Sequence, residues 1–383
     1  MGSGTRGRAI RIRRSPHLVA YWRGRAFIAC NYATGAKVEV PPKARDLLTA
    51  CDDWTRLDDL ERAGFVSSST FAATIDRMVE LELLERSDRP ADPRVSAMDT
   101  LQRWNPQAGF FHATTKDVPF VSPTVFARRA RSSAPAAPPP PAIKRYAGLE
   151  TIDLPRPDGE DALAKVLYAR RTWRRYSAQP VTIDELATIL ARSAGVQQWV
   201  EGGAVTIPLK TSPSGGARHA TECYVVARDV KGLKRGIYHY APARHGLTRI
   251  GKAVSAARIR SYVPGSEYFA KASAIVFFTS IFARILWRYP YARAYRAALI
   301  ESGHVCQTFL LAATSLGLAP FSVMALADTV IERDLGIDGI CESVLYAAGV
   351  GRPPRGVAWA PLAKGPNPKL RPNPRLKTKR PEP

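Results

Sequence analysis

The sequence predicts a layered α+β or α/β fold, because helical and strand-like patterns alternate through its second half. The chain has 383 residues, 45% of them hydrophobic, so it can bury a substantial core and has room for two or three domains. A proline-rich run at residues 134–142 is typical of a stiff linker between folded units. We therefore expect a first domain at residues 1–98, an irregular segment with the linker at 99–145, a larger domain at 146–363 and a tail at 364–383.

The first domain is predicted to contain strands followed by helices. Alternating apolar positions indicate three strands, at His17–Trp22, Ala26–Tyr32 and Lys37–Val40. Apolar residues at helical spacing begin at Pro42, and a second, shorter set ends before Gly64. Ser67–Thr70 is suited to cap a third helix, whose apolar positions run from Phe71 to Leu84. This order predicts a small winged-helix-like domain.

The elements of the larger domain are predicted from local signals. A capping box at Thr182 and Glu185 indicates the start of a helix that runs to Ser193. The other predicted elements are a helix at 160–168, a strand at 223–228, hairpin arms at 236–240 and 246–250, a buried strand at 274–278 and a long helix at 293–316.

The net charge of +23 raises the question of a nucleic-acid partner. More than half of this charge lies at the two ends of the chain, and the Pro-rich C-terminal tail has the composition of a disordered segment. The exposed face of the third helix carries four acids against two arginines, which makes it a poor reader of the major groove. A nucleic-acid-binding winged-helix regulator is the alternative from a different functional class.

Several classes of protein are disfavoured. The most apolar stretch, residues 272–287, is interrupted by Arg284 and is too short for a membrane span. The basic start has no apolar segment typical of a signal peptide, so we expect a cytoplasmic protein. The five cysteines are scattered and odd in number, which predicts neither disulfides nor a metal site.

Two motifs suggest a planar cofactor that carries a phosphate. Pro213–His219 contains Gly215 and Gly216, which lack a Cβ and let the backbone approach a flat ring. Some forty residues earlier, the arginines of Arg170–Tyr176 are suited to bind phosphate. With Trp287-Arg288-Tyr289 and the long helix, these motifs resemble the FMN-dependent nitroreductase superfamily, in particular its SagB-type branch of peptide-modifying dehydrogenases. The resemblance covers roughly residues 160–353.

The resemblance implies a fold, a cofactor and a site. The fold is α+β, with a central mixed or antiparallel sheet flanked by helices, and the long helix packs at a homodimer interface. FMN is the implied cofactor. The residues that match the family's FMN-binding positions are Arg170, Arg171, Thr172, Arg174, Ser214, Gly215, Gly216 and Arg352.

The catalytic pair departs from the pattern of the family. Azoline-oxidising members have Lys-Tyr, and this chain has Arg288-Tyr289. Arginine stays protonated and cannot act as a general base, but it can favour the phenolate or stabilise a developing enolate. Tyr289 is therefore the candidate acid/base and Arg288 its electrostatic partner. His219 and His304 are further candidates whose part in the chemistry is left open.

The first domain resembles the PqqD-like peptide clamp, in which a leader peptide adds a strand to the sheet edge and packs against the third helix. The expected function is FMN-dependent modification of a ribosomally made peptide, with azoline-to-azole oxidation as the favoured reaction. The alternative in the same site is reduction of a dehydroamino acid. The sequence leaves open the identity of the peptide, the direction of the reaction, and whether O2 or NAD(P)H exchanges electrons with the flavin. The expected partners are a precursor peptide, a second copy of the chain and other peptide-modifying enzymes.

Overall fold

The computed structural model describes residues 9–65, 68–100, 106–117, 161–202 and 205–356, with isolated positions between 124 and 154. The proline-rich run at 134–142 and the basic tail at 364–383 lie outside these residues. The described chain has an α+β fold. Within it, no helix combines the length and the apolar character that a membrane crossing requires.

The N-terminal lobe contains two small antiparallel sheets and three helices. Its sheets have the strand orders β5-β1-β6 and β2-β3-β4. Ile12, Leu47 and Ile75 are almost fully buried in its core. The three predicted strands are confirmed as β2, β3 and β4 within one or two residues. The elements are β1 (Arg11–Arg14), β2 (Leu18–Arg23), β3 (Ala26–Asn31), β4 (Lys37–Glu39), α1 (Pro42–Ala50), β5 (Thr55–Arg56), α2 (Leu57–Arg62), α3 (Ser68–Glu80) and β6 (Leu84–Arg86).

The third helix is shorter than the sequence predicts. Its helical spacing of apolar residues continues to Leu84, but α3 ends at Glu80 and Glu82 has a positive φ of 59°. Leu84 then begins β6, which pairs with β1 through Ile12 and Arg86. The prediction of a longer helix was wrong because pairing with a strand some seventy residues away determines where this segment turns.

Two helices connect this lobe to the larger one. They are α4 (Pro93–Thr100) and α5 (Pro106–Thr115). Val95, Met98 and Ala108 lie in one buried apolar cluster with residues of the larger lobe, including Phe282. On α5, buried His112 contacts the Tyr295 hydroxyl at 3.0 Å and the Gly339 carbonyl at 2.8 Å. Burial lowers the pKa of His112 to about 4, so the ring is neutral near neutral pH.

The larger lobe is built on a six-stranded sheet in the order β13-β12-β10-β14-β16-β15, with every neighbouring pair antiparallel. The predicted hairpin is β12–β13, and the predicted buried strands are β10 and β14. The strands are β7 (Val181–Thr182), β8 (Val196–Glu201), β9 (Thr206–Lys210), β10 (Thr221–Ala227), β11 (Val230–Lys231), β12 (Gly236–Ala241), β13 (Gly246–Gly251), β14 (Ala274–Ile281), β15 (Ala319–Val323) and β16 (Glu342–Gly351).

Helices cover both faces of this sheet. The predicted capping box is present, since the Thr182 hydroxyl accepts from the Glu185 N–H and the Glu185 carboxylate accepts from the Thr182 N–H. The long helix α10 and helix α7 pack on one face, and α8 and α11 on the other. The helices are α6 (Ala162–Ala169), α7 (Ile183–Ala194), α8 (Ala256–Tyr262), α9 (Phe282–Arg288), α10 (Ala294–Ser315) and α11 (Asp328–Leu335).

Candidate functional site

The glycine loop, residues 213–219, turns sharply between β9 and β10. Gly215–Ala217 form one turn of 3₁₀ helix in which Gly216 has a φ of 59°. Ala217 and His219 also have positive φ, at 50° and 43°. Backbone of this kind is costly for residues other than glycine and occurs in tight turns and at functional sites. The loop therefore stores conformational strain beside the end of a central strand.

Tyr289 lies directly against this loop. A Cβ at Gly216 would be 3.0 Å from the Tyr289 hydroxyl and 3.6 Å from Cγ of Arg288. At Gly215 it would be 3.6 Å from Cε2 of the same tyrosine ring. The structure thus brings together four residues that the sequence analysis assigned to one site from segments more than seventy positions apart.

Helix α9 positions the Arg288-Tyr289 pair. Phe282, Ile285 and Leu286 bury one side of this helix in the core. Tyr289 follows its last residue, and the Tyr289 N–H donates to the carbonyl of Ile285 at 2.9 Å. Tyr289 is half-buried, while Arg288 is exposed. The phenol is consequently held by packing, whereas the arginine side chain is open to solvent.

A buried carboxylate anchors both ends of the loop. Glu301 on α10 is 2% exposed. It accepts from the Ser214 hydroxyl at 2.5 Å and from the Thr221 N–H at 2.9 Å. The Ser214 hydroxyl in turn accepts from the His219 N–H at 2.8 Å. This role of Glu301 was not predicted, although a single acid directly after the apolar run Ala297–Ile300 of a long helix was a signal.

The two candidate histidines have different surroundings. His304 is exposed, and its Nδ1 lies 3.3 Å from the Pro213 carbonyl, at the start of the glycine loop. His219 is buried, and its pKa is lowered to about 4 by burial first and then by the charge of Lys210. Since His219 is neutral near neutral pH, it can hydrogen-bond there but cannot supply a positive charge.

The basic segment begins at the end of α6, where the Arg170 N–H donates to the carbonyl of Val166 at 3.0 Å. The next side chain, Arg171, has Nε and Nη2 buried without a hydrogen-bond partner among the described residues. Burial and the neighbouring Arg170 both lower the pKa of Arg171. Thr172 is half-buried, and the exposed Arg174 lies over the ring of Tyr268 at 5.5 Å.

Nη1 of Arg171 donates to the Arg170 carbonyl. Buried polar atoms without partners are rare and costly, so Nε and Nη2 require an anion or another acceptor. The backbone of the segment is fixed to the sheet, because the Trp173 N–H donates to Pro320 at 2.9 Å and the Ser177 N–H to Arg352 at 2.9 Å. These features fit the phosphate of a nucleotide-like cofactor.

Arg352 has a partner within the chain. Its Nη2 lies 2.7 and 3.0 Å from the two carboxylate oxygens of Glu185 and 3.3 Å from the Pro180 carbonyl. This ion pair joins the end of β16 to the capping box of α7. The sequence predicts that Arg352 binds the cofactor phosphate, but Glu185 already compensates its guanidinium charge.

The chain is similar to known proteins over its larger lobe. Residues 167–352 match the family model "Nitroreductase family". The chain is 36% identical over 209 residues to MJ1384 of Methanocaldococcus jannaschii, whose name places it among the nitroreductases, and the alignment covers 53% of this chain and 98% of that protein.

Two further relatives are named as processing proteins. The trifolitoxin-processing protein TfxB of Rhizobium leguminosarum bv. trifolii is 34% identical over 37% of this chain and 39% of its own length. The microcin B17-processing protein McbC of Escherichia coli is 28% identical over 33% of this chain and 48% of its own length. The chain thus spans less than half the length of both.

Proposed function

The chain belongs to the nitroreductase family, and from this we propose that it is an FMN-dependent oxidoreductase that modifies a ribosomally made peptide. The family supports the oxidoreductase class. The names of TfxB and McbC support a peptide as the substrate. The observation on which the proposal depends most is that Nε and Nη2 of the half-buried Arg171 are buried without a hydrogen-bond partner among the described residues.

The residues of the site fit FMN. We assign the phosphate to Arg170, Arg171 and Arg174, with the Thr172 hydroxyl as a further donor. We leave Arg352 out of this set because Glu185 already pairs with it. The glycine loop offers backbone without a Cβ, to which a flat ring can lie close. Bound there, FMN would supply hydride exchange at N5.

Tyr289 is the residue that we assign to proton transfer. Its hydroxyl lies at the surface of Gly216, so a group bound against the loop is within reach of the phenol. In an azoline-to-azole oxidation, the phenolate would take the acidic Cα proton. In the reverse sense, the phenol would donate a proton to a dehydroamino acid. Arg288 would stabilise the negative charge that develops in either direction.

The N-terminal lobe is proposed to bind the leader of the precursor peptide. Strand β4 is an edge strand, with β3 as its partner in the three-stranded sheet. A groove of about 320 Å³ lies between β4 and α3, and its lining includes Val38, Ala73 and Met78. An extended peptide can add to such an edge through main-chain hydrogen bonds and place apolar side chains in the groove.

Two surfaces of the larger lobe support a homodimer. On α10, Leu299 and Ile300 are 39% and 58% exposed, and on α6, Leu163 and Leu167 are 63% and 44% exposed. Exposed apolar residues on adjacent helices are typical of a subunit interface. We propose that α10 packs against its symmetry mate.

The experiment that tests the cofactor assignment compares two arginine variants. The purified protein is expected to be yellow and to release FMN on denaturation. Arg171→Gln should lose most of the bound FMN, because the charge-assisted hydrogen bonds to the phosphate are lost. Arg175→Gln, at an exposed position four residues away, is the matched control and should retain FMN. A folded Arg171→Gln protein with full FMN occupancy would refute the assignment.

A further inference from the structure

A second cleft lies on the opposite face of the central sheet from α10. On β10, Cys223 and Val225 pack in the cluster that contains residues of α10, so Glu222 and Tyr224 point to the other face. The cleft there has a volume of about 620 Å³. Its walls are the β8–β9 hairpin, the turn after β12, and Arg218 and His219 of the glycine loop.

The cleft combines an aromatic and apolar lining with an excess of positive charge. The lining includes Trp199, Pro208 and Tyr224, and Trp199 is 51% exposed. Four cationic side chains line the cleft, against the single carboxylate of Glu222. These cations are Lys210, Arg218, Arg244 and Arg284.

The carboxylate of Glu222 is already paired. It accepts from His239 Nε2 at 2.6 Å and from Nη1 of Arg284. Burial alone would raise the pKa of Glu222, but the hydrogen bonds from His239 and Arg284 lower it, so the group is ionised near neutral pH. Glu222 therefore compensates Arg284 directly, and Arg218 donates to the Gly216 carbonyl and lies over the Trp287 ring. Lys210 and Arg244 are left without a direct partner among the described residues.

Lys210 is the more buried of the two cleft cations that lack a direct partner among the described residues. Its ammonium has no hydrogen-bond or ion-pair partner in the part of the chain that the structure describes. Burial lowers its pKa, although the charges of nearby Glu222 and Glu301 act in the opposite direction, so its surroundings compensate the charge only in part. Arg244, at the rim, also has no side-chain partner among the described residues. A bound anion would supply the negative charge and the hydrogen-bond acceptors that both groups lack.

We propose that this cleft binds an acidic side chain of the peptide substrate, with its carboxylate at Lys210 and its neighbouring residues against Trp199 and Pro208. This inference rests on the proposed function, because it assigns a recognition site to the same peptide. Arg218 and His219 belong to both the cleft and the glycine loop, and Arg218 Nε donates to the Gly216 carbonyl at 2.8 Å. A peptide held in the cleft therefore has its adjacent residues beside the loop that Tyr289 contacts.

The test is calorimetric titration of the full-length protein with the tripeptide acetyl-Leu-Glu-Leu-amide and with acetyl-Leu-Gln-Leu-amide, which has the same shape without the charge. The glutamyl peptide is expected to bind about tenfold more tightly, the usual value of one charge-assisted contact. Lys210→Met should abolish this preference. Lys231→Met, at an exposed position on β11 outside the cleft, is the matched control and should retain it.

Equal affinities for the two peptides, or no heat of binding from either up to about 10 mM, would overturn the proposal. NADPH is titrated in parallel. If Lys210→Met weakens NADPH and leaves the peptides unchanged, the cleft binds a nucleotide phosphate and the peptide assignment is wrong. Flavin content, measured by visible absorbance, distinguishes failure of this inference from failure of the proposed function. A flavin-loaded protein without charge preference refutes only this inference, whereas a protein that cannot bind FMN refutes the proposed function.

Discussion

Substitution of Gly216 by alanine should damage the site more than the fold. At a φ of 59° and ψ of 25°, any residue with a Cβ is in the left-handed region, which costs about 1–2 kcal/mol. This cost corresponds to a decrease in Tm of about 2–4 °C for each kcal/mol in a lobe of this size. The new Cβ would also lie 3.0 Å from the Tyr289 hydroxyl, where ordinary contacts between heavy atoms are about 3.5–4.0 Å. The hydroxyl must therefore move by about 0.5 Å, and we expect a decrease in turnover of roughly tenfold or more.

Gly24 provides the matched control. It has a φ of 61°, and a Cβ there would meet nothing within 4 Å. Gly24→Ala should cost a similar free energy of unfolding without an effect on turnover. The assays are thermal unfolding of the flavin-loaded proteins and turnover of the peptide substrate. If Gly216→Ala loses stability but turns over as fast as Gly24→Ala, the close approach of Tyr289 to the loop has no catalytic importance.

Three further predictions follow from the site. Tyr289→Phe should keep FMN and the fold but lose roughly 10²–10⁴-fold in turnover. Near wild-type turnover by this variant would exclude the phenol as the acid/base. Arg288→Lys should retain more activity than Arg288→Ala. Because the pKa of His219 is lowered to about 4, its contribution to stability is present above about pH 6.5 and is lost as the pH falls towards 4. Between about pH 6.5 and 4, thermal scans should show the wild type losing stability relative to His219→Asn. If the Tm values of the two proteins change with pH in parallel, the lowered pKa of His219 is wrong. Ile300→Glu should halve the mass measured by light scattering, while Ile250→Glu, on an exposed position of β13, should not; an unchanged mass for Ile300→Glu would place the interface elsewhere.

The sequence predicted correctly those helices and strands that are determined by residues close together in the chain. The capping box of Thr182 and Glu185 involves residues three positions apart, and α10 is long enough for its pattern to be unambiguous. The end of α3 was predicted wrongly, because β6 forms through pairing with β1. Hairpin β8–β9 was not predicted, although it forms one wall of the second cleft.

The candidate site was predictable to the extent that its residues matched a known pattern. Gly216 and Tyr289 were assigned to one site, and the structure brings them into contact. Arg352 was assigned to the phosphate, yet it pairs with Glu185 at a separation of 167 positions, which no local pattern reveals. The role of Glu301 depends on contacts with Ser214 and Thr221 across the fold, and the sequence alone does not specify them.

The apolar cluster that α4 and α5 share with the larger lobe has a consequence for protein engineering. Val95, Met98 and Ala108 pack with Phe282 and Tyr295, and His112 bonds across the same boundary. The same cluster also contains Tyr32 and Ala33 of the N-terminal lobe, so α4 and α5 pack on both lobes. A chimera that exchanges N-terminal lobes between relatives should therefore take every residue of this cluster from one parent. A junction in the proline-rich run at 134–142 would instead pair α4 and α5 of one parent with Phe282 and Tyr295 of the other.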